Sequence, residues 1–63
     1  MKKGDKVYTP RFCTVEIAEV YEDPKRAYLD GYREPTHYDK DHEYEILGAH
    51  TGKNRMVFAA VRK

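Results

Sequence analysis

The sequence contains one group of side chains with the chemistry of metal ligands, between positions 37 and 42. The group consists of His37, Asp39, Asp41 and His42. Imidazole nitrogens bind zinc, and carboxylate oxygens bind zinc or calcium. The spacing matches no zinc motif, and the segment lacks the glycine and the distal glutamate of a calcium-binding loop. We therefore expect a solvated polar turn here, and predict neither a metal nor another cofactor.

The residue types needed for catalysis are poorly represented. The chain has no serine, and none of its threonines lies in a glycine-flanked nucleophile elbow. Cys13 could meet a histidine in space, but the alternation that places it on one strand face with Val15 and Ile17 predicts a buried thiol without a catalytic or redox role. Acidic residues that alternate along strands, such as Glu16 and Glu45, are explained by a solvent-facing side of a sheet. No catalytic residue is assigned, and the sequence predicts a protein that is not an enzyme.

Basic side chains are concentrated at the two ends of the chain. Residues 1–11 carry four basic and one acidic side chain, residues 51–63 carry four basic and none acidic, and residues 12–50 carry four basic and ten acidic. The net charge of +1 therefore conceals two basic ends around an acidic middle. Basic groups beside an aromatic ring can hold a phosphate backbone and a stacked base, whereas ordinary surface charge only keeps a protein in solution. If the basic ends are functional, the predicted nucleic-acid-binding residues are Lys6, Tyr8, Arg11, Lys53 and Arg55.

The first half of the chain has the pattern of a β-hairpin. Residues 6–9 form a short predicted strand, because Val and Tyr suit a sheet. A turn at Pro10-Arg11 leads into the clearest strand, residues 12–21. Its alternation slips by one residue, which predicts a β-bulge or bend near Ala18-Glu19.

A short helix is predicted after this hairpin. Asp23 is a good N-cap, and Pro24 loses nothing at the first helical position. The helix would cover residues 25–30, and Gly31 fits the left-handed residue that ends it. An irregular loop is the alternative, because so short a helix depends on packing.

The second half predicts a further hairpin. Residues 36–38 form a brief extended piece, residues 39–42 a polar turn, and residues 43–47 a strand. A glycine-containing loop at residues 48–54 leads to the last strand, residues 56–61, which is apolar on both faces and is therefore predicted to be central. The predicted core consists of Phe12, Val15, Ile17, Tyr44, Ile46, Met56 and Phe58.

The opening GDKVYTPRFCTVEIAEVYED resembles the first hairpin of SH3-like small barrels, in which Gly-Asp leads into a strand, a Pro turn and a longer strand. It departs from that pattern at Arg11 and Cys13, where such openings often have Gly. The resemblance implies a barrel whose first and last strands lie close together, which would gather the basic ends on one side. In general character the whole chain is also similar to short proteins of bacterial genomes and mobile elements, and no function follows from that.

These observations predict a single small domain over residues 1–63. Its fold class is a small β-rich α+β fold with two β-hairpins flanking a short helix, and an SH3-like barrel is the first choice. We expect no membrane span or signal peptide, and one unpaired cysteine favours a reducing cytoplasm. The expected function is a non-enzymatic binding module that contacts nucleic acid through the basic side. The alternative is a protein–protein interaction module or a homodimerising small regulatory protein.

Overall fold

The computed structural model describes residues 1–50, 52 and 55–62, which form five strands and one helix. The strands form one curled sheet in the order β1-β2-β5-β4-β3, so the fold is a small β-rich half-barrel with a short helix. In chain order the elements are β1 (Lys6–Thr9), β2 (Cys13–Tyr21), α1 (Pro24–Leu29), β3 (Glu34–Asp39), β4 (Tyr44–His50) and β5 (Met56–Arg62).

The pairing of the strands confirms two predictions. Strand β5 lies in the centre between β2 and β4, as expected for a strand that is apolar on both faces. The register of the parallel β2–β5 pair shifts between Ile17 and Glu19, where a bulge was predicted. The other three pairs, β1–β2, β3–β4 and β4–β5, are antiparallel.

Two expectations about strand arrangement need correction. The second half of the chain is a three-stranded meander, because residues 34–39 form a full strand beside β4 instead of a brief extended piece. The first and last strands are not neighbours, since β2 lies between β1 and β5. The two basic ends of the chain are therefore not joined by direct strand pairing.

The predicted helix is confirmed, but it spans Pro24–Leu29 instead of residues 25–30, and both predicted end signals are present. The Asp23 carboxylate accepts a hydrogen bond from the Lys25 N–H at 3.0 Å, and Pro24 occupies the first turn. Gly31 has a φ of +99°, as expected for the left-handed residue after a helix. Ala27 is fully buried and anchors the helix against the sheet.

The concave face of the sheet holds the main core. Five of the seven predicted core residues are buried there, whereas Phe12 and Met56 are only half-buried and pack against its edge. The rings of Phe12 and Phe58 are tilted, with centroids 5.2 Å apart. The buried members of this cluster are Val15, Ile17, Tyr44, Ile46, Phe58 and Ala60.

A second cluster, which the sequence analysis did not predict, lies where α1 covers the sheet. Its buried members are Ala27, Tyr32, Leu47, Ala49, Ala59 and Val61. The Tyr21 hydroxyl donates a hydrogen bond to Asp30 at 2.6 Å and so ties β2 to the end of the helix. Burial, together with this bond to a carboxylate, raises the pKa of Tyr21.

Gly48 lies close to the side chains of Met56 and Phe58. The sequence analysis placed it in a loop, but it lies within β4, opposite Phe58. A Cβ at this position would overlap the end of the Met56 side chain. Because that atom is the end of a flexible side chain, a small side chain at position 48 would require only a shift of Met56.

Cys13 is exposed, so the prediction of a buried thiol is wrong. Its φ of 60° is left-handed, which takes its side chain out of the alternation that buries Val15 and Ile17. Thr9 is buried instead. Its hydroxyl donates to the Cys13 carbonyl at 2.9 Å and accepts from the Phe12 N–H at 3.1 Å.

Candidate nucleic-acid interface

The two edge strands, β1 and β3, face each other across the open side of the half-barrel. Residues from β1 and from the end of β3 with its following turn line one cavity of about 370 Å³, which we call the seam. Beyond the seam, Arg11 Nη1 lies 3.8 Å from Glu34 Oε1 and bridges the same two sides. The seam is lined by Lys6, Val7, Tyr8, His37, Asp39, Asp41 and His42.

The backbone of β1 presents polar groups on the side away from β2. The Ile17 N–H donates to the Asp5 carbonyl at 2.8 Å, which fixes which residues of β1 bond to β2. Because these bonds alternate along an antiparallel pair, the N–H and C=O groups of Val7 face β2, whereas those of Lys6 and Tyr8 face away from it. Lys6 and Tyr8 therefore offer backbone donors and acceptors as well as side chains.

The exposed ring of Tyr8 lines the seam on β1, whereas Tyr38 on β3 is exposed but does not line it. The Tyr8 side chain is 65% exposed, and Lys6 lies two residues before it on the same strand, also exposed. Tyr38 on β3 is 39% exposed. Exposed rings beside a cation are the parts from which base-stacking surfaces are built.

The acidic side of the seam is stabilised by internal hydrogen bonds. The nearly buried Asp39 carboxylate accepts from the N–H groups of Asp41 and His42 at 3.0 and 3.3 Å, and its Oδ2 lies 2.9 Å from His42 Nδ1. Burial by itself raises the pKa of Asp39, but the hydrogen bonds from His42 outweigh it, and the pKa is lowered overall. The predicted polar turn is present, but it covers residues 40–43 instead of 39–42, because Asp39 is the buried last residue of β3.

The four residues with metal-ligand chemistry do come together, since all of them line the seam. Their carboxylate oxygens are partly occupied, because Asp39 already accepts three hydrogen bonds. Among the residues that the structure describes, no three His, Cys, Asp or Glu side chains are arranged to hold a metal ion.

The structure divides the predicted binding residues between two places. Lys6 and Tyr8 lie together at the seam. Arg11 lies at the turn between β1 and β2, where its guanidinium sits 5.0 Å above the Phe12 ring and pairs with Glu34. Lys53 lies outside the described residues.

Arg55 lies at the same end of the sheet as Arg11. It is exposed and directly precedes Met56, which is opposite His50 in the β4–β5 pair. His50 Nδ1 in turn lies 3.9 Å from Glu34 Oε2, and the other oxygen of Glu34 faces Arg11. Arg11 and Arg55 therefore lie at the same end of the sheet, and Arg11 and His50 lie beside the Glu34 carboxylate.

Sequence reasoning missed a second surface, on helix α1. Lys25, Tyr28, Leu29 and Arg33 line a shallow, open hollow of about 560 Å³, which we call the α1 hollow. Helix geometry could have predicted this surface. Successive residues of a helix are about 100° apart, so a helix that packs through Ala27 leaves Tyr28 and Leu29 on its exposed sides.

Comparison with known proteins found no match: no family model, no curated protein and no solved structure is significantly similar to this chain. Within the described part of the chain, no helix has the length and the apolar character needed to cross a bilayer. A functional assignment must therefore rest on the surfaces themselves.

Proposed function

We propose that this protein is a non-enzymatic binding module that contacts single-stranded nucleic acid at the seam, through Tyr8 and Lys6. The observation that carries the proposal is the exposure of the Tyr8 ring on an edge strand, beside a lysine whose peptide group also faces outward. A base stacked on an exposed aromatic ring contributes about 1–3 kcal/mol. A single strand is the expected form, because its bases are free to stack on a protein ring.

The charges around the seam set the expected strength of binding. Lys6 supplies a point charge for one phosphate, and Arg11 and Arg55 supply further cations at the far end of the sheet. Against them stand Glu34, which is paired with Arg11, and Asp41 in the seam. Binding is therefore weak and strongly weakened by salt.

The experiment is a titration of a labelled oligothymidine by the protein at low and at moderate salt, followed by fluorescence anisotropy. Tyr8→Ala should weaken binding at least about fivefold, the lower end of one stacking interaction. Tyr28→Ala is the matched control, because that tyrosine is 51% exposed but lies in the α1 hollow. Absence of binding at low salt, or equal effects of the two variants, would contradict the proposal.

The salt dependence gives a separate test of the arginines. Each phosphate neutralised on a single strand contributes about −0.7 to the slope of log affinity against log salt. Arg11→Ala combined with Arg55→Ala should therefore reduce that slope by about 1.4. An unchanged slope would show that these two arginines contact no phosphate and only help to keep the protein in solution.

The proposal also includes the particular type of barrel and the cellular location. We propose an SH3-like barrel on the strength of the Gly-Asp opening and the half-barrel sheet. One feature of that opening gains support: Cys13, which stands where such openings often have Gly, has the left-handed backbone that glycine favours. The single cysteine supports a reducing cytoplasm as the location.

A protein partner is the second candidate, and a different observation favours it. Leu29 is 78% exposed in the α1 hollow, an apolar contact that a nucleic acid does not need. Binding that resists moderate salt would favour this candidate over the first. A concentration series by analytical ultracentrifugation tests the homodimer form of the same alternative.

A further inference from the structure

The α1 hollow combines an exposed apolar centre with cations at its margin. Leu29 is 78% exposed and Tyr28 is 51% exposed, side by side on a six-residue helix. Lys25 precedes them by about one turn, and Arg33 follows the helix. Adjacent exposed apolar side chains inside a charged margin are typical of interaction sites.

Arg33 is held in place at this site. Its Nε donates to the Tyr28 carbonyl at 3.1 Å, at the C-terminal end of the helix. This bond uses one of the five guanidinium donors and leaves the two terminal nitrogens for a planar acceptor such as a carboxylate. The arginine is thus positioned before a partner arrives, which lowers the entropy cost of binding.

The cations of the hollow have no acidic partner among the described residues. In the part of the chain that the structure describes, neither Lys25 nor Arg33 forms an ion pair. Asp23 caps the helix and Asp30 accepts the Tyr21 hydroxyl, and in the described part of the chain neither carboxylate forms an ion pair with Lys25 or Arg33. Elsewhere in the described part of the chain, Lys3 pairs with Glu19 at 3.3 Å, Arg11 with Glu34 and Arg62 with Glu22.

We propose that the α1 hollow docks an acidic segment of another protein, with an apolar side chain on Leu29 and carboxylates on Lys25 and Arg33. Charge decides between the occupants. A second copy docked face to face through this surface would oppose the same cations to each other. A nucleic acid would supply phosphates for the cations, but it has no apolar side chain to pack against Leu29.

This inference uses none of the residues of the nucleic-acid proposal, and it rests on the protein-partner candidate, whose surface and partner chemistry it specifies. The test uses the full-length chain and a labelled synthetic peptide of alternating glutamate and leucine. Binding is measured by anisotropy, with a second peptide in which glutamine replaces every glutamate. The variants are Leu29→Ser and Arg33→Gln, and Arg26→Gln is the matched control, because Arg26 is an exposed cation of the same helix that does not line the hollow.

The acidic peptide should bind, and the glutamine peptide should bind at least about tenfold more weakly, the lower end of what a hydrogen bond to a charged group contributes. Leu29→Ser and Arg33→Gln should each weaken binding to a similar extent, and Arg26→Gln should change it less than about twofold. Thermal melts establish that the variants are folded. Equal binding of both peptides, indifference to Leu29→Ser, or an equal loss in Arg26→Gln would overturn the proposal. Displacement of the acidic peptide from these residues by oligothymidine would show instead that the hollow binds nucleic acid.

Discussion

Asp39 Oδ2 and His42 Nδ1 lie 2.9 Å apart and close the turn that joins β3 to β4. The other oxygen of the same carboxylate accepts from two backbone N–H groups of this turn. Three acceptor contacts on one nearly buried carboxylate favour its charged form. The turn that forms one wall of the seam therefore depends on the ionisation of Asp39.

The first prediction is a loss of stability in acid. The folded-state pKa of Asp39 lies below its ordinary value of about 3.9. The contribution of Asp39 to the free energy of unfolding is therefore complete above the pKa that it has in the unfolded chain. It is lost as the pH falls through the lower pKa of the folded state. Urea unfolding between neutral pH and about pH 3 should show this decline.

The variant Asp39→Asn should remove part of that pH dependence and cost about 1.5–3 kcal/mol at neutral pH, the range for hydrogen bonds to a charged group. Asp41→Asn is the matched control, because Asp41 is exposed in the same turn. If both variants keep the parental acid profile, the carboxylate does not have this role.

The second prediction concerns the concave core. Phe58 is buried at its centre, and Phe58→Ala should cost about 3–5 kcal/mol. Phe12→Ala should cost clearly less, since Phe12 is half-buried at the margin. Differential scanning calorimetry measures both. A Phe58→Ala protein that melts cooperatively near the parental temperature would show that the core is misassigned.

The third prediction concerns the end of α1. Gly31→Val places a β-branched residue at a φ of +99° and should destabilise markedly, although the space around the position is open. Asp23→Ala should cost about 1 kcal/mol through loss of the cap. Chemical denaturation of both variants gives the comparison, and a Gly31→Val protein as stable as the parent would contradict the backbone assignment.

The fourth prediction follows from the exposure of Cys13. A thiol reagent should label the native protein at a rate close to that of the urea-unfolded chain. Cys13→Gly should be neutral or stabilising, because glycine adopts the observed φ of 60° without strain. Strong protection of the native thiol would restore the buried position that the sequence pattern predicted.

Local patterns predicted local features well. The cap at Asp23, the left-handed Gly31 and the bulge near Glu19 follow from the chemistry of a few neighbouring residues, and all are present. The exposure of Cys13 could not be read from alternation, because one left-handed residue breaks the phase of a strand. The parallel pairing of β2 with β5 depends on how the whole chain folds back, which no local pattern specifies.

The candidate site was predicted only in part, for the same reason. Lys6 and Tyr8 were selected for their charge and aromaticity, and they lie together because they share one strand. The ion pair between Arg11 and Glu34 could not be predicted, because it forms only through the curl of the sheet. The exposure of Leu29 depends on which helix face packs, and Ala27 decides that.

The most direct test of the central claim is a ¹H–¹⁵N NMR titration of the protein with oligothymidine at low salt. The seam proposal predicts saturable shifts of the Lys6 and Tyr8 amides, which face away from β2, and their reversal on addition of salt. The chemical shifts of the amides of residues 25–33, in and around α1, should not change. Shifts confined to residues 25–33, or no shifts at any described residue, would contradict the account.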